Sequence, residues 1–184
     1  VTRVFAVAGD PAKEITVAEV INFGALKISI DKGSDVVTYT FDGDVDENFR
    51  HADVPRHPAR HINFILENVN NFNSVGIREW VYLVRDLSSM GQMCFKRCSV
   101  TMIDQINMVP DSLGNGIVES FFAPYACDDH GETSRLIITR DHTAQIRNHV
   151  APEMHCDICR KKLVFDALED AYFMFVSGNI AKAS

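Results

Sequence analysis

Four residues near the end of the chain have the types and spacing that hold a metal ion. Cys127-Asp128-Asp129-His130 is a C-x2-H pair and Cys156-Asp157-Ile158-Cys159 a C-x2-C pair, with residues 131–155 between them. Two residues between ligands let a tight turn aim both at one ion. Three thiolates and one imidazole fill the closed tetrahedral shell of a structural Zn²⁺. A hydrolytic zinc keeps one position for water, which four protein ligands do not leave, so a zinc hydrolase ranks below a structural site. His130 is the ligand that spacing fixes least, because His142, His149 and His155 lie in the same region. Cys94 and Cys98 have C-x3-C spacing on a predicted strand and read there as buried apolar side chains.

The segments around the two pairs must bring them together. Ser134 to Thr139 reads as a strand, and Leu163-Val164-Phe165 can supply another. This layout resembles a zinc ribbon in which histidine replaces one of four cysteines. A ribbon of roughly 40 residues has little core, so metal binding would supply much of its folding energy. From Phe165 to Val176 the apolar residues fall at helical spacing, with Leu168, Tyr172 and Phe175 on one face and Phe173 and Val176 adjoining. The expected role is a helix docked on the main domain; a dimer or partner surface is the alternative.

Composition bounds the rest. The chain has 184 residues, 46% hydrophobic and 23% charged, with a net charge of -7. That suits one globular domain with a small appendage. An acidic chain disfavours nonspecific nucleic-acid binding, although Arg135, Arg140, Arg147, Arg160, Lys161 and Lys162 give the last third some basic character. No apolar run approaches the roughly 18 residues that span a bilayer, so no membrane partner is expected. The first residues lack a signal-peptide layout. Reduced thiols and a cytoplasmic address follow as the expectation. The chain contains no nucleophile elbow, P-loop or HExxH pattern, which points away from an enzyme. Binding of a small ligand stays open.

Three segments are expected: an N-terminal extension over 1–24, a main domain over 25–126, and a metal-binding subdomain with a final helix over 127–184. In the extension, Asp10-Pro11 can start a helix whose stripe of Ile15, Ala18 and Val20-Ile21 ends near Gly24. In the main domain, Leu26 to Ile30 and Val36 to Phe41 form a hairpin. Residues 47–60 hold two prolines and exclude a long helix. Ile62 to Leu66 is a central strand, Asn68 to Asn73 an Asn-rich turn. The next helix buries Ile77, Trp80, Val81, Val84 and Leu87, with Arg78, Glu79, Arg85 and Asp86 toward solvent. Met93 to Cys98 is a strand, Ser99 caps a second helix, and Ile117 to Ala126 is a fifth strand. Strands alternating with amphipathic helices imply an α/β fold, a mixed sheet with helices packed on it.

Two stretches carry a resemblance to the STAS domain, the fold shared by sulfate transporters and anti-sigma-factor antagonists. Gly43-Asp44-Val45-Asp46 is similar to the family's Gly-x-Leu/Val-Asp at the end of the second strand. His61 to Ile77 resembles its strand, its Phe-x-Asp-Ser-Ser-Gly-Leu turn and the helix after it; here the turn reads Asn73-Ser74-Val75-Gly76-Ile77. Asn73 stands in place of the usual acidic residue and Val75 in place of the second hydroxyl, and the family's first helix is shortened by prolines.

The resemblance implies a STAS-like α/β domain over residues 25–126 and a non-catalytic protein acting by regulated protein–protein contact. It implies Ser74 as a phosphorylation site, with Asp46, Asn73, Ser74 and Gly76 on a rim facing a kinase or anti-sigma-like partner. A homodimer is also open. Exposed amides at a helix start favour a phosphate there, and the added charge could repel an acidic partner. Serine is equally a preferred helix N-cap, worth about 1 kcal/mol, so a purely structural role for Ser74 stands beside the switch.

Overall fold

A computed structural model of the chain describes residues 19–176. Six strands form one sheet in chain order: β1 (Glu19–Phe23), β2 (Leu26–Lys32), β3 (Val36–Val45), β4 (His61–Phe72), β5 (Gln92–Lys96) and β6 (Ile117–Val118). The first two pairings are antiparallel and the next three parallel, so the sheet is mixed. Helices α1 (Ser74–Ser88) and α2 (Val100–Met108) make the crossovers from β4 to β5 and from β5 to β6, and residues 46–60, with a single 3-10 turn at His51–Asp53, make the one from β3 to β4.

Strict alternation creates this sheet. Leu26, Ile28 and Ile30 on β2, Val37, Tyr39 and Phe41 on β3, Ile62, Phe64 and Leu66 on β4, and Met93 and Phe95 on β5 are buried on one face. Trp80 of α1 lies over that face, edge-on to Phe41 at 5.1 Å and to Phe64 at 5.7 Å. Its indole N–H donates to the Ser112 carbonyl at 2.9 Å, which satisfies the polar end of an otherwise apolar side chain. Gly76 lets α1 approach so closely: a Cβ there would lie 1.9 Å from the Val45 carbonyl oxygen.

Several expectations change. Val20 and Ile21 belong to strand β1, not to a helix, because they pair with Ser29 and Ile28 across a turn at Gly24 (φ 59°). The remainder of the N-terminal helix expectation lies outside the described residues. The boundary expected at residue 25 therefore falls inside a hairpin. The Asn-rich stretch is not a turn: β4 continues to Phe72, paired with β3 through two register shifts, with Val69 buried and Asn68, Asn70 and Asn71 exposed. Leu83 joins the buried face of α1, and Glu79 is drawn from solvent by His51.

The strand expected over 117–126 is two strands in two sheets. After β6 the chain passes through Glu119 into β7 (Ser120–Cys127), the centre of a three-stranded sheet with β8 (Gly131–Ile138) and β9 (Val164–Phe165). The sheets meet at Cys98, whose amide donates to Ser120 and whose carbonyl accepts from Phe122. A short helix, α3 (Thr143–Arg147), follows β8. The expected C-terminal helix is reduced to α4 (Glu169–Tyr172), and Leu168 is 80% exposed rather than on its buried face. Tyr172, Phe173, Phe175 and Val176 are buried, the three rings packed around Phe121. Asn107 of α2 fastens them, donating to the Tyr172 carbonyl and accepting the Phe175 amide.

Candidate metal centre

Two local turns aim the four ligands. The first joins β7 to β8: Cys127 pairs with Gly131, the His130 amide donates to the Cys127 carbonyl, and Gly131 adopts φ 78° to start the return strand. The second is the turn from Cys156 to Lys161. There the Cys156 amide donates to Lys161 and the Arg160 amide to Cys156, both at 2.9 Å, with Arg160 in the left-handed region at φ 63°. A non-glycine residue in that conformation costs of order 1 kcal/mol, so the surroundings must impose it.

The turns meet. The Sγ atoms of Cys127, Cys156 and Cys159 and a nitrogen of His130 all lie within 4.8 Å of one another. Cys127 Sγ is 3.6 Å from Cys159 Sγ, and His130 Nδ1 lies 3.5 Å from Cys127 Sγ and 3.6 Å from Cys156 Sγ. With Zn–S near 2.3 Å and Zn–N near 2.0 Å, the edges of a tetrahedral shell come to about 3.5–3.8 Å. These three separations match such edges, and with all four atoms within 4.8 Å of one another the residues fit a tetrahedral ion. Cys127 and Cys156 are buried, Cys159 is half-buried and His130 exposed. The other histidines weighed for the fourth position are engaged elsewhere: His142 with Gln145, His149 with Asp170, and His155 near Glu153.

The surroundings favour thiolates at Cys127 and Cys156, whereas at Cys159 the lowering by the Lys161 amide is outweighed by burial and by the Cys127 and Cys156 sulfurs, and the thiol is raised. Cys156 is pulled down to about 6 by the amides of Cys159 and Ile158, which point at its sulfur. Cys127 is lowered first by the His130 ring, then by the Asp129 amide. The His130 imidazole is raised in turn, chiefly by Cys127. Two ion pairs hold the second turn, one to the first turn through Lys161 and Asp129 at 2.7 Å and one to β8 through Asp157 and Arg135 at 3.0 Å. Sequence reading missed these pairs, because nothing in their spacing marks them until the two turns are face to face.

The structure places the expected rim residues differently. Asp44 pairs with Asn71 and Val45 with Phe72, so the two motif stretches lie side by side. Asn73, not Ser74, is the N-cap of α1: its Oδ1 accepts from the amides of Val75 at 3.1 Å and Gly76 at 2.8 Å, and its Nδ2 donates to Glu47. Ser74 begins the helix with an exposed side chain. Asp46 is half-buried and accepts from the Asn48 amide at 2.8 Å. Gly76 is buried against Val45 and presents no side chain to a partner.

No family model, no curated protein and no solved structure matches this chain. Among the described residues, no helix is long and apolar enough to cross a membrane.

Proposed function

We propose that this chain is a non-catalytic regulatory protein that works by protein–protein contact, with a structural Zn²⁺ on Cys127, His130, Cys156 and Cys159 organising its second sheet as a zinc-ribbon-like subdomain. The observation that carries the metal reading is the convergence of the four candidate ligand atoms to within 4.8 Å of one another. Four protein ligands close the shell, which favours a structural ion over a hydrolytic one.

The STAS-like reading of the larger sheet, and with it Ser74 as a phosphorylation site, belongs to the same proposal. Asn73 already caps α1, so the exposed Ser74 hydroxyl is not needed for capping and is accessible to a kinase. Arg78, four residues along the helix, lies 3.7 Å from Glu79 with its side chain 60% exposed, and its guanidinium could pair with a phosphate on Ser74. Glu47 and Asp46 flank the position, so a phosphate there would make the rim strongly acidic and turn away an acidic partner.

Native mass spectrometry of protein isolated from its own host reads metal, phosphate and stoichiometry together. One zinc per chain and phosphate localised to Ser74 are expected. A metal-free chain under reducing conditions would overturn the zinc assignment, and a chain never modified at Ser74 would overturn the switch.

A further inference from the structure

Near the metal turns, two antiparallel segments begin to pair and then part. The Cys156 amide donates to Lys161 and the Leu163 amide to Met154, with a bridge between His155 and Lys162. Continued in the same register, that ladder would set Pro152 opposite Phe165. It cannot continue. Pro152 has no N–H to give, and its carbonyl accepts from the Tyr125 hydroxyl at 2.6 Å. The segments diverge there around a cleft of about 580 Å³ lined by Tyr125, Val150, Pro152, Val164, Phe165 and Glu169.

Among the described residues, β9 therefore keeps one edge without a strand partner. On its other side, Ala126 faces Val164 and Tyr125 faces Phe165, and the Asp166 amide donates to Pro124. In an antiparallel ladder alternate residues point their amide and carbonyl inward, so Phe165 turns its N–H and C=O away from β7 toward the cleft. Such an edge is a template for another strand. Its walls mix polar side chains with accessible apolar ones, Val150 being 47% and Val164 59% exposed. Lys162 is paired with Glu153 at 2.8 Å, which leaves Glu169 as the surplus charge of the lining.

We infer that this cleft binds an extended peptide segment of a partner protein, added as a strand to the free edge of β9. The backbone of Phe165 supplies the hydrogen bonds. Val150 and Val164 receive alternate apolar side chains, and Glu169 favours a basic residue in the segment. The site lies on the second sheet and stands independently of any role for Ser74.

A displayed library of random linear peptides, selected on the full zinc-loaded chain, tests this. Enriched peptides with alternating apolar residues and a basic residue are expected. Their binding should slow hydrogen exchange at the Phe165 amide at least roughly tenfold, read by NMR. Affinity should fall at least roughly tenfold in a Val150→Lys, Val164→Lys double variant. Both positions are substantially exposed, and zinc content reports whether the variant retains its fold. Failure to enrich any sequence, equal binding to the double variant, or unchanged exchange at Phe165 on binding would each overturn the inference.

Discussion

Asn73 Oδ1 accepts the amide proton of Gly76 at 2.8 Å, and through that bond the helix carrying Ser74 is capped by the residue before it. The two residues therefore have separable roles. Asn73→Ala should cost about 1–2 kcal/mol, the usual loss for an N-cap. Ser74→Ala should change stability by less than about 0.5 kcal/mol, as exposed substitutions do. Urea unfolding of the two variants checks both values, and equal losses would return the capping role to Ser74.

Gly76→Ala tests the approach of α1 to β3. The added methyl would meet the Val45 carbonyl, a backbone atom that cannot move without disturbing the β3–β4 ladder. A destabilisation of about 1–3 kcal/mol is expected from the overpacking, despite the better helix propensity of alanine. The midpoint of chemical denaturation measures it.

His51 and Glu79 make a pH-dependent contact between the turn before β4 and α1. The His51 ring bonds Glu79 at 2.6 Å and its amide adds a second bond at 3.1 Å. The ring first, with the amide and neighbouring charge, holds the Glu79 carboxyl below its ordinary 4.5. A folded-state value below the unfolded one gives stability that is complete above the ordinary value and is lost as pH falls through the folded value. Glu79→Gln should cost about 1 kcal/mol at neutral pH. Its deficit against the parent protein should shrink on acidification below 4.5 in urea titrations run at a series of pH values.

Metal removal should act on one sheet more than the other. Chelation is expected to loosen β7–β8–β9 while amides of β2, β3 and β4 keep their exchange protection, because the buried face of those strands is covered by Trp80 of α1 and holds none of the four ligands. His130→Ala should weaken zinc binding at least roughly 100-fold, whereas His142→Ala, His149→Ala and His155→Ala should leave it within about threefold. Affinity should fall as pH falls, since protons compete for the thiolates and the imidazole.

Much of this molecule is legible in its residues. The Cys/His cluster was readable because each pair is held by a turn of its own, so short spacing encodes most of the geometry of this candidate metal site. The strands of the larger sheet were readable from the apolar residues at Ile62, Phe64 and Leu66 and at Met93 and Phe95, whose burial alternates with that of their neighbours. What escaped was decided by distant partners. Asn73 and Ser74 are both good caps, and only the extended backbone of Asn73 (φ -103°, ψ 173°) separates them. Val20-Ile21 fits a helical or a strand period until β2 lies beside it. The asparagines of β4 have turn composition, but Val69 is buried on the core face and β3 pairs alongside. The break at Glu119 lies within an apolar run and becomes visible only once Cys98 claims Ser120 and Phe122.

The hand-over at Glu119 also fixes an order in time. All six strands of the larger sheet precede Cys127, the first metal ligand, so a ribosome releases that sheet in full before it completes a site for the ion. On the zinc reading, newly made chains short of metal would thus hold all six strands of the first layer beside an open second one. Zinc supply would then govern how many copies close the second sheet and the contacts that Asn107 makes with Tyr172 and Phe175.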